Sequence, residues 1–275
     1  MKNNYTFTLS DGNKLPITSY GNFNSDKYII YVHGFKGFKD WGFIPYASEY
    51  LSERNYFVIT FNFSHNGVEG NSSEFTRLDK FAENTFSREV NELNELITAA
   101  KQGFFGHNDK FKLGLLGHSR GGAISLLSAF NNSFVDAVVT WSAISKLDRY
   151  SERQKAEWKE RGFWEVENTR TKQIMRLNVT LLEDIEKNKS SLLNIENAVK
   201  NLDKPLLVAH GGQDLTVRIS EGKHLYSLAN KKFTKFLEVE NVGHTFNCKH
   251  PFLESNVKFD YLLKQTFEFY DKFLE

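Results

Sequence analysis

Short, continuous apolar runs alternate along the chain with longer stretches in which apolar residues recur every three or four positions. The runs at 28–32, 57–61, 112–117, 135–141, 205–211 and 235–240 read as strands buried on both faces of a parallel sheet. Residues 83–101 set Phe86, Val90, Leu93 and Ile97 on one helical face, and 257–274 do the same with Phe259, Leu262, Leu263, Phe267 and Tyr270. Each therefore predicts an amphipathic helix packed on a core. Runs at 5–9 and 15–20 flank the Asp11-Gly12 turn signal and predict an N-terminal hairpin. Strands that alternate with helices predict an α/β fold in which crossover helices join parallel strands.

Residues 145–202 break this rhythm. They are densely charged, contain no strand-like run, and carry Trp158, Phe163 and Trp164 within stretches of helical character. They predict a helical cap inserted into one domain spanning 1–275. A solvated helical excursion anchored by its tryptophans fits the same pattern equally well. No tandem repeat, low-complexity tract or linker divides the chain.

Composition narrows the partners. Thirty-five basic residues face 34 acidic ones, so no global field favours nucleic acid or an anionic membrane surface. Cys248 is the single cysteine, which excludes an internal disulfide framework and a cysteine-based zinc site. No apolar stretch resembles a signal-peptide core, and no window approaches the roughly 18 apolar residues of a membrane helix. The expectation is a cytoplasmic protein of undetermined oligomeric state, a homodimer being one option, that acts on a small molecule without cofactor or metal.

The chemistry centres on Gly117-His118-Ser119-Arg120-Gly121, a G-x-S-x-G pattern that a chain of this length shows by chance about one time in ten. Its context is more selective: an apolar strand precedes it and a helical pattern follows, as a nucleophile elbow requires. A serine hydroxyl needs a base, and two partners follow in order. Asp214 lies just beyond the apolar run at 205–211, and His244 just beyond the run at 235–240. Both fall where loops leave the carboxyl edge of a parallel sheet. Ser119 is the expected nucleophile, His244 the base and Asp214 the group that orients the imidazole, with Glu240 the rival acid. His118, His33 and His210 read as structural, and His65, His107, His224 and His250 lack the glycine-then-histidine setting after a strand.

An oxyanion hole belongs after the first central strand, where Val32-His33-Gly34-Phe35 stands. The backbone N–H groups of Phe35 and Arg120 are its expected donors, with His33 bracing the loop. His33, Gly34, Trp41, Trp158 and Trp164 are expected to line the substrate pocket, and together with Phe35 and Phe43 the tryptophans suggest an aromatic acyl group.

The segments 33–35 (HGF), 117–122 (GHSRGG), 210–214 (HGGQD) and 243–246 (GHTF) together resemble the α/β-hydrolase superfamily, and within it the group of dienelactone hydrolases, cinnamoyl esterases and prolyl-oligopeptidase-like serine hydrolases. The resemblance covers most of the chain outside 145–202. It implies ester or amide hydrolysis through an acyl-enzyme, no cofactor, and a helical cap between the sixth and seventh core strands. It leaves a carboxylesterase, a peptidase and an acyl thioesterase open, beside a noncatalytic small-ligand binder. Serine at position 119 argues against dienelactone hydrolysis, for which cysteine stands at the elbow. One departure concerns residues 62–67, where many relatives carry an Asp-x-Arg-Gly-x-Gly-x-Ser segment bordering the acyl pocket.

Overall fold

The computed structural model describes all residues except 71, 73 and 107–109, and His107 therefore lies outside the described residues. The chain runs β1 (Lys2–Thr8), β2 (Lys14–Tyr20), β3 (Lys27–Val32), α1 (Ile44–Ser52), β4 (Phe57–Phe61), α2 (Leu78–Ala82), α3 (Phe86–Lys101), β5 (Lys112–His118), α4 (Arg120–Asn131) and β6 (Ala137–Trp141). It continues through α5 (Glu152–Arg161), β7 (Phe163–Asn168), β8 (Gln173–Asn178), α6 (Val179–Asn188), α7 (Ile195–Lys200), β9 (Leu206–Gly211), α8 (Ile219–Leu228), β10 (Thr234–Val239) and α9 (Val257–Phe273). Eight strands form one sheet in the order β1-β2-β4-β3-β5-β6-β9-β10. The first two pairings are antiparallel and the remaining five parallel.

Strand periodicity explains how the apolar runs serve two cores at once. Successive side chains point to opposite faces, so Ile30 and Val32 of β3 join Ile59, Leu115, Val138 and Val208 under α3, α4 and α7. Their neighbours Ile29 and Tyr31 join Val58, Leu116, Val139 and Leu207 under α1 and α9. Each fully buried residue of this size contributes about 1.5–3 kcal/mol. Gly114 admits α9 to its face: a Cβ there would stand 2.5 Å from the Tyr270 ring, whose hydroxyl donates to the Leu115 carbonyl at 2.6 Å. The helix predicted over 83–101 begins at Phe86 because the Thr85 hydroxyl caps it, accepting the Arg88 N–H.

Residues 145–202 lie between β6 and β9, the sixth and seventh strands of the sheet, and here the helical expectation needs correction. Helices α5, α6 and α7 are present, but β7 and β8 pair as an antiparallel hairpin, Phe163 opposite Asn178. Phe163 and Trp164 therefore stand on a strand. The period-two pattern is visible in hindsight: Trp164 and Val166 alternate with Glu165 and Glu167, and Met175 and Leu177 flank Arg176. High charge density hid it, because each charged residue occupies a solvent-facing strand position.

Candidate active site

The register of the sheet assembles the expected residues at one edge. β3 and β5 are hydrogen-bonded neighbours with Val32 opposite Gly117, so the 33–35 loop emerges beside Ser119. Ser119 joins β5 to α4 at φ 57° and ψ −122°, a left-handed backbone that costs about 1–3 kcal/mol in a non-glycine residue. The surroundings hold it there. Its N–H donates to the Trp141 carbonyl at 2.8 Å and its carbonyl accepts from Gly122 N–H at 3.0 Å. The corner closes only around glycines: a Cβ on Gly121 would stand 2.1 Å from the Val32 carbonyl oxygen, and one on Gly117 2.4 Å from that of Gly121.

Ser119 Oγ lies 3.0 Å from His244 Nε2, and His244 Nδ1 lies 2.7 Å from Asp214 Oδ2. A carboxylate only accepts, so Nδ1–H donates to Asp214 and Nε2 is left to accept the Ser119 hydroxyl proton. Asp214 is almost fully buried, and its Oδ1 accepts the Thr216 and Val217 N–H groups, each at 2.9 Å. Burial alone would raise its pKa, but the bond from His244, the nearby imidazoles and the Val217 N–H together hold it below the ordinary carboxylate value. The structure thus brings the serine, histidine and aspartate together, and the rival Glu240 is not their partner.

Two structural histidines frame this line. His118 Nε2–H donates to the His244 carbonyl at 2.9 Å, fixing the loop that carries the imidazole. Burial pushes its pKa down to about 3, so it stays neutral. His33, fully buried and pushed down to about 4 by burial, donates from Nδ1 to the Gly34 carbonyl at 2.9 Å and accepts the Phe63 N–H on Nε2 at 3.4 Å. His210 donates from Nε2 to the Val217 carbonyl at 2.8 Å. None of the three faces the hydroxyl as a base.

Gly34 packs directly on the elbow: a Cβ would stand 3.0 Å from the His118 carbonyl oxygen and 3.1 Å from Ser119 Cβ. Neither Phe35 N–H nor Arg120 N–H has a backbone acceptor among the described residues. The Arg120 side chain is buried, 2.7 Å from Glu89 Oε1, with its guanidinium 4.7 Å from the centre of the Phe35 ring and 5.5 Å from that of Phe86. Glu89 was not legible from the sequence, since a pair 31 positions apart leaves no local pattern.

A cavity of about 280 Å³ opens at Ser119 and His244, and His33, Gly34 and Trp41 line it. Trp158 and Trp164 do not, contrary to expectation. Trp158 is fully buried and packs edge-on against Tyr150, 4.9 Å between ring centres. Trp164 leans from β7 onto the same hydrophobic core. Both are anchors of the insertion, and Phe43 is likewise buried, against His118 and Trp141. The cavity wall instead includes Lys36, Asn168, Thr169, Arg170 and Thr245, which sequence reasoning missed. The alternation of 163–168 and 173–178 was the available signal for the middle three, because it makes 169–172 a hairpin tip.

The 62–67 segment is absent from this wall and braces the 33–39 loop from behind. Asn62 Oδ1 accepts Lys39 N–H at 2.7 Å, and Asn66 Nδ2 donates to the Gly37 carbonyl at 3.3 Å. A larger cleft of about 500 Å³ lies beside Lys14, Ser64, Arg77 and Lys80. Its one serine among the described residues, Ser64, is committed to the Glu92 carboxylate, and no histidine among them lines the cleft to activate a hydroxyl, so volume alone does not mark the site. Among the described residues no cluster of three His, Cys, Asp or Glu side chains could hold a metal ion, and no helix is long and apolar enough to cross a membrane.

Comparison with known proteins agrees with this architecture. The model of the prolyl oligopeptidase family matches residues 41–275. A solved structure of Est1E from Butyrivibrio proteoclasticus with ferulic acid bound is similar over 98% of this chain and 99% of its own, with TM-score 0.73 and 18% identity. The α/β hydrolase GrgF from Penicillium sp. sh18 is similar over 100% and 99%, with TM-score 0.76 and 14% identity. At these identities the likeness concerns the fold. Human protein ABHD12B is 38% identical over 92 residues, which are 31% of this chain and 25% of that protein, so the matched stretch spans a quarter of its length.

Proposed function

Because the chain belongs to the prolyl oligopeptidase family, within the α/β-hydrolase superfamily, we propose that this hydrolase is a serine carboxylesterase that cleaves a small or medium ester through Ser119, His244 and Asp214. The observation that carries the reading is the continuous hydrogen-bond line from Ser119 Oγ through His244 to the buried Asp214 carboxylate. Ser119 attacks the ester carbonyl as His244 Nε2 takes its proton. Asp214 stays ionised, holds the Nδ1–H tautomer and stabilises the imidazolium. The tetrahedral oxyanion accepts the Phe35 and Arg120 N–H groups, each worth about a hundredfold or more in rate. Collapse expels the alcohol, which leaves with the proton from His244. Water, deprotonated by the same imidazole, then releases the acid, and the cycle uses no cofactor or metal.

Residues 145–202 act in this reading as a cap, since the tip of its hairpin lines the Ser119 cavity. The enzyme works in the cytoplasm on a small acyl substrate. The family match also favours a second reading, amide cleavage of short peptides by the same residues.

A fluorophosphonate probe is expected to label wild-type protein at Ser119, and Ser119→Ala should abolish both labelling and p-nitrophenyl acetate turnover. Absence of labelling in the native protein overturns the nucleophile. Faster turnover of aminoacyl p-nitroanilides than of matched p-nitrophenyl esters would select the peptidase.

A further inference from the structure

The charged side chains in the wall of the Ser119 cavity are basic. No aspartate or glutamate lines it, whereas Lys36 and Arg170 both do. Arg170 sits at the tip of the β7–β8 hairpin and has no ion-pair partner among the described residues. Its guanidinium stands 5.7 Å and 5.9 Å from the ring centres of Phe38 and Phe75, which orient it without supplying an acceptor. Lys36 uses one of its three N–H donors on the Glu167 carbonyl at 2.9 Å, and the Glu167 carboxylate is engaged by Lys172 at 3.4 Å. Asn168, 4% exposed, braces the same turn by accepting Arg170 N–H on Oδ1 at 3.3 Å, and its Nδ2 has no acceptor among the described residues.

Burial lowers the pKa of Arg170 and, offset in part by Glu167, that of Lys36. Arg170 is exposed and Lys36 half-buried, and with no carboxylate in the cavity wall among the described residues their positive charge favours an incoming anion. We propose that the Ser119 cavity takes substrates carrying an oxyanion, a carboxylate or a phosphate, in addition to the scissile carbonyl, with Arg170 as its principal receptor and Lys36 as the second cation. A guanidinium suits this task because its planar donors match two oxygens of either group at once. The cap hairpin thereby becomes the specificity element. The inference deepens the esterase reading and rests on it for the identity of the reacting bond, but the anion site itself is testable without turnover.

Two measurements separate the two readings. In the Ser119→Ala background, adipate and its uncharged counterpart adipamide are titrated by calorimetry against the parent, Arg170→Gln and Lys172→Gln. Lys172 shares the hairpin tip but is absent from the cavity wall, so Lys172→Gln controls for net charge. Adipate should bind and adipamide should not. Arg170→Gln should weaken adipate binding about ten- to a hundredfold, the range of a charge-assisted bond, and Lys172→Gln less than twofold. Inorganic phosphate run in parallel distinguishes the two oxyanion sources by which binds more tightly.

In the catalytically intact protein, kcat/KM for mono-p-nitrophenyl adipate should exceed that for p-nitrophenyl hexanoate at least tenfold, and Arg170→Gln should reduce that ratio about tenfold or more. Equal binding of adipate and adipamide, or equal effects of the arginine and lysine substitutions, overturns the inference. Arg170-dependent adipate binding without turnover of either ester would sustain the anion site and defeat the esterase reading. Turnover without charge preference or adipate binding would do the reverse.

Discussion

Raising the pH from 5 to 8 is expected to remove about 3 kcal/mol of stability through one buried carboxyl group, that of Glu92. It stands on α3, 3% exposed, where Oε2 accepts the Ser64 N–H at 2.9 Å and Oε1 meets the Ser64 hydroxyl. Burial pushes its pKa from 4.5 up to about 7, with Glu89 adding to the rise and the Ser64 bonds and Arg88 opposing it. At about 1.4 kcal/mol per tenfold change in acidity, that gap corresponds to about 3 kcal/mol. The folded protein holds this proton more tightly than the unfolded chain does. The stabilisation is therefore complete below about pH 4.5 and is lost as pH rises to about 7. Glu92→Gln removes the titration while keeping an oxygen acceptor for the Ser64 N–H. Thermal melts of both proteins at pH 5 and pH 8 isolate the effect, because other titrating groups cancel in the difference. The variant should gain about 3 kcal/mol on the wild type between the two pH values, or roughly 6–12 °C for a domain of this size. A difference that stays within about 1 kcal/mol across the range would refute the reasoning and show that Glu92 ionises as an ordinary surface carboxylate does.

Gly34→Ala should lower kcat/KM and the fluorophosphonate labelling rate at least a hundredfold while circular dichroism stays native, because the added methyl presses on the His118 carbonyl and Ser119 Cβ. Asp214→Asn should lower kcat by about four orders of magnitude by releasing the His244 tautomer, a loss readable in the pH–rate profile; a drop of tenfold or less would remove Asp214 from its role. Trp158→Ala should destabilise the protein by about 3–5 kcal/mol in urea, the cost of emptying a fully buried tryptophan site. A mild effect there would mean that the insertion is not anchored by that side chain.

Features that depend on local periodicity or on steric demand could be read without coordinates. The runs 28–32, 57–61 and 205–211 serve two cores, so nearly every position is apolar and the strand is unmistakable. The elbow was legible because its glycines answer to clashes with carbonyl groups only a few residues away or on the next strand. The β7–β8 hairpin escaped because Glu165, Glu167 and Arg176 occupy solvent-facing positions, a density of charge it shares with an exposed helix. The role of the 62–67 segment, which departs from the pattern of relatives, was not legible, because Asn62 and Asn66 meet the back of the 33–39 loop across distance.

What could not be read is pairing across distance, and Arg120 shows why this matters. Its backbone N–H is set by the start of α4, a local matter that the motif discloses. Its side chain answers to Glu89 on α3 and to the Phe35 ring on the opposite loop, neither of which the motif mentions. Phe35 and Arg120 supply the two proposed oxyanion donors, and the guanidinium of one lies against the ring of the other, so a single buried ion pair holds both in register. A guanidinium buried against a carboxylate gains little net stability over apolar packing, so its contribution here is orientation. In the proposed mechanism the distance between the two N–H groups is held by the Arg120 side chain, which is absent from the cavity wall.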